Sequence, residues 1–291
     1  MSTLRPVQQL VTAHQQTEGG GFTVRRPLPT RGLDHLDPLL MLDELGPVTY
    51  GPGEARGAPD HPHRGFETVT YILAGETAHA DSAGHAGTLG PGDVQWMTAG
   101  AGVVHREMPS LRMQREGGTM HGFQLWVNLP RALKRAAPRY QEIRSDRIPQ
   151  ATSPDGLATV RVIAGSALGV EAVTRTHTPI LYHHWTLQPG AAVTVPLPAD
   201  HQVGVYVFQG SLEISGARVG RGQLAVLGEG EAVALSASEP AQALILGGQP
   251  IGEPVAWGGP FVMNTRAEVM EAYADYQAGR MGRIPPEIVR A

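Results

Sequence analysis

Two short segments carry residue types that can do coordination chemistry. His61-Pro62-His63 sets two imidazoles two positions apart, and His105-Arg106-Glu107 sets an imidazole and a carboxylate at the same spacing. On an extended chain, side chains at i and i+2 project to the same side. Pro62 biases His61 away from helical geometry. If the two segments occupy neighbouring strands, three imidazoles and one carboxylate converge on one interior. Neutral imidazole and ionised carboxylate are both available near pH 7. A sulfur-free set of this kind suits a borderline first-row ion, namely Fe(II), Mn(II), Ni(II), Cu(II) or Zn(II). Four such ligands in an octahedral arrangement leave two positions open to water, dioxygen or a chelating substrate. A single His-x-His also occurs on solvated strands. The second pair, about 40 residues further on and bracketed by glycines, argues against that plainer explanation.

The elements that must position these residues read as strands. Glu67–Leu73 is rich in β-branched and aromatic residues and stops at Ala74-Gly75. Ala78–Asp81 and Val94–Met97 are further candidates, separated by glycine-containing turns. From Gly122 to Leu129 the chain alternates, with Phe123, Leu125 and Val127 on one face and Gln124, Trp126 and Asn128 on the other. Before the histidines, Val7–Val11, Phe22–Arg26 and Pro38–Asp43 also read as strands. Residues 130–156 read as a connector, because Pro130, Pro138, Pro149 and Pro154 allow no more than one helical turn at 131–135.

Residues 157–250 return to β patterning as a worn copy of the first half. Tyr71–Gly75 resembles Tyr206–Gly210, and Leu89–Val94 resembles Val219–Leu224, at nearly the same spacing. A repeat of this size implies two similar antiparallel β-barrels in tandem. The expected division is 1–135 and 136–291. In the second copy, Pro196, Pro198, Leu235 and Ala237 fall opposite the first copy's His61, His63, His105 and Glu107, so that half is expected to hold no metal. Near the C-terminus, Thr265 and Glu268 form a capping box. Val269, Tyr273 and Tyr276 follow at helical spacing, and Gly279 supplies a stop. A helix over 266–278 is expected, with its apolar stripe on a barrel.

Composition narrows the function. The 291 residues carry 23 Lys and Arg against 27 Asp and Glu, which leaves no basic footprint for nucleic acid. With no cysteine, thiolate metal sites and thiol catalysis are excluded, and a reducing compartment is suited. Neither a leader-like apolar region nor a membrane-length apolar run is read, so a cytoplasmic protein is expected. No phosphate-binding loop, dinucleotide fingerprint or nucleophile elbow is present. Among the other histidines, His79 and His85 flank a turn and are expected at the surface. His121 begins a strand. The adjacent His183 and His184 face opposite ways on a strand and make a poor chelating pair. His14, His35, His177 and His201 have no partner at useful spacing.

Several stretches resemble the pirin family of the cupin superfamily: His61–Tyr71, Pro91–Gly100, His105 with Glu107, His121–Leu129, and Gly259–Thr265. The resemblance covers nearly the whole chain. It implies an all-β bicupin of two jelly-roll barrels, with one metal, most often iron, held in the N-terminal barrel by His61, His63, His105 and Glu107. In many cupins a glutamate of the first motif is a ligand, but in pirins the one matching Glu67 is not. Glu67 is left to orient a ligand histidine, or to pair with Arg64 or another cation. Some pirins act as quercetin 2,3-dioxygenases, which implies a flavonol and dioxygen as substrates and Glu107 as both ligand and base. Arg64, Thr98, Gln124 and Trp126 are then candidates for the pocket wall. Other pirins are non-enzymatic regulators that bind proteins, with the metal in a structural or redox-sensing part.

Overall fold

The computed structural model describes residues 3–286, which form two compact units. One takes in the chain up to His14, Arg26–Met41 and Asp146–Pro250. The other takes in Gln15–Arg25, Leu42–Ser145 and the chain from Ile251. A linear division at residue 135 does not capture this exchange of segments. Its origin is local: the strand Val7–Thr12 pairs antiparallel with Gln223–Leu227, Val7 opposite Leu227 and Thr12 opposite Gln223. The C-terminal helix joins the unit of the histidines, where Val269 and Ala272 pack with Ala80, Val104, Phe261 and Met263.

Each unit packs a seven-stranded sheet against a four-stranded one, and the sheets do not close into continuous barrels. The cupin-type all-β architecture stands, as two-layer sandwiches with paired inner faces. In the histidine unit, the four-stranded sheet runs in the order Ala58–His63, Val103–Pro109, Thr77–Asp81, Ala86–Leu89. The opposing sheet has Arg139–Ile143, Val94–Thr98, Phe66–Ala74 and Gly118–Asn128 as consecutive neighbours. Phe123, Leu125 and Val127 are fully buried on one face of the last of these strands, while Gln124 and Trp126 are half-buried on the other.

The helix spans Arg266–Gln277. Thr265 Oγ1 accepts from the Glu268 amide at 3.2 Å, and the Glu268 carboxylate accepts from the Asn264 amide at 3.1 Å. Gly279, at φ 74°, donates to the Tyr276 carbonyl and ends the helix. Tyr276 itself is exposed, so the buried stripe runs through Val269 and Ala272 with Tyr273 at its edge. A second helix, Leu111–Glu116, has no counterpart in the sequence reading; Ser110 caps it through the Met113 amide. The presumed connector holds the strands Arg139–Ile143 and Gln150–Thr152. Pro138 and Pro149 immediately precede these strands, where a missing N–H interrupts no ladder. Among the described residues, no helix is long and apolar enough to cross a membrane.

The interior of the other unit is apolar. Leu235 and Ala237 are buried there, but Val195 and Leu197 point inward in place of Pro196 and Pro198, which are exposed. The expected alignment was therefore off by one residue on that strand, and neither set can ligate a metal. His183 shares its strand face with Leu181, Trp185 and Leu187 of the core. His184 turns the other way, to Gln242 Oε1 at 2.8 Å. Burial, only partly opposed by the Ala164 backbone, pulls the His183 pKa from 6.5 to about 4.

This depression has a definite sign. Between pH 6.5 and 4 the unfolded chain holds a proton that the folded chain does not. The contribution of His183 is fully present above pH 6.5 and is lost as pH falls towards 4, by about 3 kcal/mol in all. Chemical denaturation at pH 7 and pH 4.5 of wild type and His183→Leu measures it. The stability lost on acidification should be about 2 kcal/mol smaller in the variant. Identical losses would show that His183 is not held neutral by burial.

Candidate metal centre

His61, His63 and His105 meet because their strands are antiparallel neighbours. Val103 lies opposite His63, and His105 lies opposite His61. The ring centroids are 4.3–4.9 Å apart, and one ligand atom from each residue lies within 4.8 Å of the others. This is the grouping of metal-binding side chains found among the described residues. His61 Nδ1 donates to the Pro59 carbonyl at 2.7 Å, and His63 Nδ1 to the Pro260 carbonyl at 3.3 Å. A carbonyl only accepts, so these contacts fix the proton on Nδ1 and leave Nε2 with its lone pair.

His105 is 1% exposed, and neither of its ring nitrogens has a hydrogen-bond partner. Leaving a buried polar group unsatisfied costs about 1–3 kcal/mol. Burial, then the neighbouring His61, drives the pKa values of His63 and His105 well below 6.5. Both rings are thus neutral and converging, His63 tied through Nδ1 to Pro260 and His105 without a hydrogen-bond partner. These residues fit a divalent ion of the borderline class, which would take one lone pair from each.

Glu107 stands apart from the triad. A bulge between His105 and Glu107 sets Glu107 opposite Ala58 instead of Pro59. Its carboxylate is held by the opposing sheet: Thr70 Oγ1 donates to Oε1 at 2.7 Å, and Gln124 Nε2 donates to Oε2 at 3.2 Å. Thr70 and Gln124 face each other across their strands, and Thr70 Oγ1 is also 2.7 Å from Gln124 Oε1. The carboxylate is therefore positioned beside the histidines by hydrogen bonds rather than grouped with their ligand atoms.

The other candidates for the wall divide. Trp126 sets its ring edge-on to His63, with centroids 5.1 Å apart, and Gln124 reaches Glu107. Thr98 lies on the far face of its sheet, opposite Glu67, and donates to Glu67 Oε1 at 2.6 Å. Burial raises the Glu67 pKa, and this hydrogen bond opposes the rise. Arg64 is drawn off by the Ala101 carbonyl at 2.7 Å and by Asp275 at 2.7 Å. Neither Thr98 nor Arg64 lines the histidine face; Glu67 accepts from the Thr98 hydroxyl, and Arg64 pairs with Asp275. The cause is strand parity: Glu67 alternates with the inward Thr68 and Thr70 on its own strand, and Thr98 lies opposite Glu67 on the neighbouring one.

The same parity reveals residues that sequence reading assigned elsewhere. His85 is half-exposed and pairs with Asp81 at 2.9 Å, but His79 is buried, with Nε2 2.5 Å from Glu142 Oε1. His79 lies opposite Glu107 and shares its face with Asp81, which lies opposite His105. Tyr140 stacks on His79, with centroids 6.1 Å apart. Burial and the adjacent Asp81 push its phenol pKa up, so it stays protonated. The i, i+2 spacing of His79 and Asp81 was the available signal.

The C-terminal hairpin, Ala256–Gly258 with Phe261–Met263, completes the centre. Pro260 orients His63, and the Val262 amide donates to the Arg64 carbonyl at 3.0 Å. Lys134 is buried beneath, donating to the Gly65 carbonyl at 2.9 Å, Asn128 Oδ1 at 2.8 Å and the Val262 carbonyl at 3.0 Å. One ammonium thus ties the segment after His63 to a sheet strand and to this hairpin. Burial lowers its pKa to about 8.

Comparison with known proteins places this architecture. Residues 21–127 match the family described as Pirin, and residues 182–282 match the Pirin C-terminal cupin domain. A pirin-like protein of Solanum lycopersicum is 44% identical over 283 residues, covering 96% of this chain and 93% of its own. Pirin of Mus musculus is 42% identical over 289 residues, covering 97% and 96%. Among solved structures, a quercetin 2,3-dioxygenase from Acinetobacter baumannii superposes with a TM-score of 0.91 at 38% identity, covering 97% of this chain and 100% of that one.

The triad predicts a direct titration. Wild-type protein should bind a single equivalent of Co(II) or Ni(II) by calorimetry. The His63→Ala/His105→Ala variant should lose more than the roughly 10–100-fold in affinity that removal of an outer-shell partner costs. Stoichiometric, tight binding retained by that variant would exclude the triad as the binding site.

Proposed function

The chain belongs to the pirin family, and from that premise we propose that it is a metal-dependent dioxygenase acting on quercetin-type flavonols. The observation that carries this reading is the buried, neutral, unpartnered His105 beside His63 and His61. We assign one divalent ion per chain to His61, His63 and His105, with the Glu107 carboxylate beside them, and take Fe(II) as the native metal, with Mn, Ni, Cu or Zn as the alternatives. The bound ion would supply a Lewis-acidic centre with positions left for a chelating substrate.

The residues of the chain account for the remaining requirements. Glu107 accepts the proton of the flavonol hydroxyl that approaches the centre, as a positioned carboxylate can. Thr70 and Gln124 hold its two oxygens, so the acceptor is aimed before substrate arrives. Trp126 presents an apolar ring against His63, a wall for a flat ligand on that side. The similarity to the Acinetobacter baumannii quercetin 2,3-dioxygenase supports the substrate class. The regulator alternative of the family shares the same histidines and differs in needing no turnover.

Oxygen uptake with quercetin separates the two. Iron-loaded protein should consume oxygen as the flavonol spectrum decays. Glu107→Gln, which keeps the shape of the side chain and removes its basicity, should lower kcat roughly 100-fold or more. Full activity in a metal-replete Glu107→Gln protein would remove Glu107 from the proton transfer. No oxygen uptake with any flavonol would turn the assignment to the regulator.

A further inference from the structure

An exposed indole stands at the outer edge of the histidine centre. Trp257 is 38% exposed on the C-terminal hairpin. Its ring stacks on Trp126 with centroids 5.5 Å apart and planes at 29°. Its Nε1 donates to the Gly259 carbonyl at 2.9 Å, which fixes the edge of the indole. Trp126 in turn tilts on Phe66 at 4.2 Å and meets His63 edge-on at 5.1 Å. From solvent inward, the order is Trp257, Trp126, His63. His61 and Trp126 are only half-buried, so this is a side on which the centre is accessible.

A large aromatic held rigid by a stacking partner and a hydrogen bond, yet left partly in water, is a preorganised surface for another flat ring. Little side-chain freedom remains to be lost when that ring docks. Stacking is attractive for any planar π-system and is tolerant of its substituents. The hydroxylated end of such a molecule would point past Trp126 towards the histidines and Glu107. The same indole would serve poorly as plain hairpin packing, because Phe261 and Tyr273 already supply the buried contact of that hairpin.

We propose that Trp257 is a specificity-determining wall of the site, stacking a planar aromatic ligand on the indole pair it forms with Trp126. The proposal rests on the flavonol reading of the site, and it deepens it by naming the residue that selects for flatness. Trp257 touches no candidate ligand to the metal and takes no proton; it positions the ring. A neighbouring protein would also find an aromatic surface here, but the continuity of the stack with His63 favours a small molecule that reaches both.

Quercetin and flavone are the probes, flavone lacking the hydroxyl needed to chelate. Their dissociation constants are measured by tryptophan fluorescence quenching in Zn(II)-loaded and metal-free wild type, Trp257→Phe and Trp257→Leu. Trp257→Leu should weaken both probes about five- to tenfold, and Trp257→Phe should restore most of the affinity. Metal affinity and melting temperature should hold in both variants. In the iron-loaded enzyme, Trp257→Leu should raise KM with kcat little changed. Unchanged probe affinity in Trp257→Leu overturns the proposal, as does failure of wild type to bind either probe. An equal loss in both variants also overturns it, because hairpin packing would then be the cause. Trp257-dependent binding without oxygen uptake would leave the proposal standing and remove only the dioxygenase reading.

Discussion

His105 sits 1% exposed inside a two-sheet interior, its imidazole nitrogens unpartnered and two other imidazoles within 5 Å. That arrangement is unfavourable in any form the ring can take alone. Protonation would place a cation in a buried site beside other histidines, and neutrality leaves polar atoms unsatisfied. A divalent ion relieves the greater part of this, since it needs neutral rings and takes the lone pair of each. The rest of the centre can be understood as what is required to keep these imidazoles in place. The two strands supply register, and the backbone carbonyls of Pro59 and Pro260 supply the tautomer.

Holding that geometry falls to segments far apart in sequence. Lys134 ties the turn after His63 to Asn128 and to the C-terminal hairpin through three oxygen acceptors. Arg64, next to His63, bridges to Asp275 of the C-terminal helix. Asp275 also meets Arg280, and the two guanidinium groups hold its carboxyl below the usual carboxylate range. On the other side, Thr70 and Gln124 reach across from the opposing sheet to Glu107. The carboxylate and the imidazoles are therefore fixed by different layers. A substrate between them would meet acceptor and metal site from two rigid supports rather than from loops.

Much of this was legible in the chain because strand parity is strict. His-x-His and His-x-Glu imply a shared face, and the alternation of Gln124 with Phe123 and Leu125 divides its strand correctly. The helix was legible from Thr265 and Glu268, whose mutual hydrogen bonds are local. What escaped depends on contacts between distant segments. Arg64 looked like a wall residue until Asp275, more than 200 positions away, was seen to take it. Thr98 was misassigned because its face is set by pairing with Glu67. Pro138 hid the strand carrying Tyr140 and Glu142, and nothing local links Trp257 to Trp126. The bulge that sets Glu107 apart from His105 likewise depends on the partner strand. The exchange of the first strand into the other unit has no signature within Val7–Thr12 itself, since an edge strand needs only a partner edge.

Three imidazoles and an oxygen donor from this one interior are the proposed ligands of the metal. X-ray absorption spectroscopy of the iron-loaded protein reads this ligand set, because imidazole rings add characteristic outer-shell scattering to the nearest-neighbour signal. The expected result is a shell of only nitrogen and oxygen, with outer scattering from three imidazoles. A fit requiring one imidazole or none would contradict it and place the metal elsewhere in the chain.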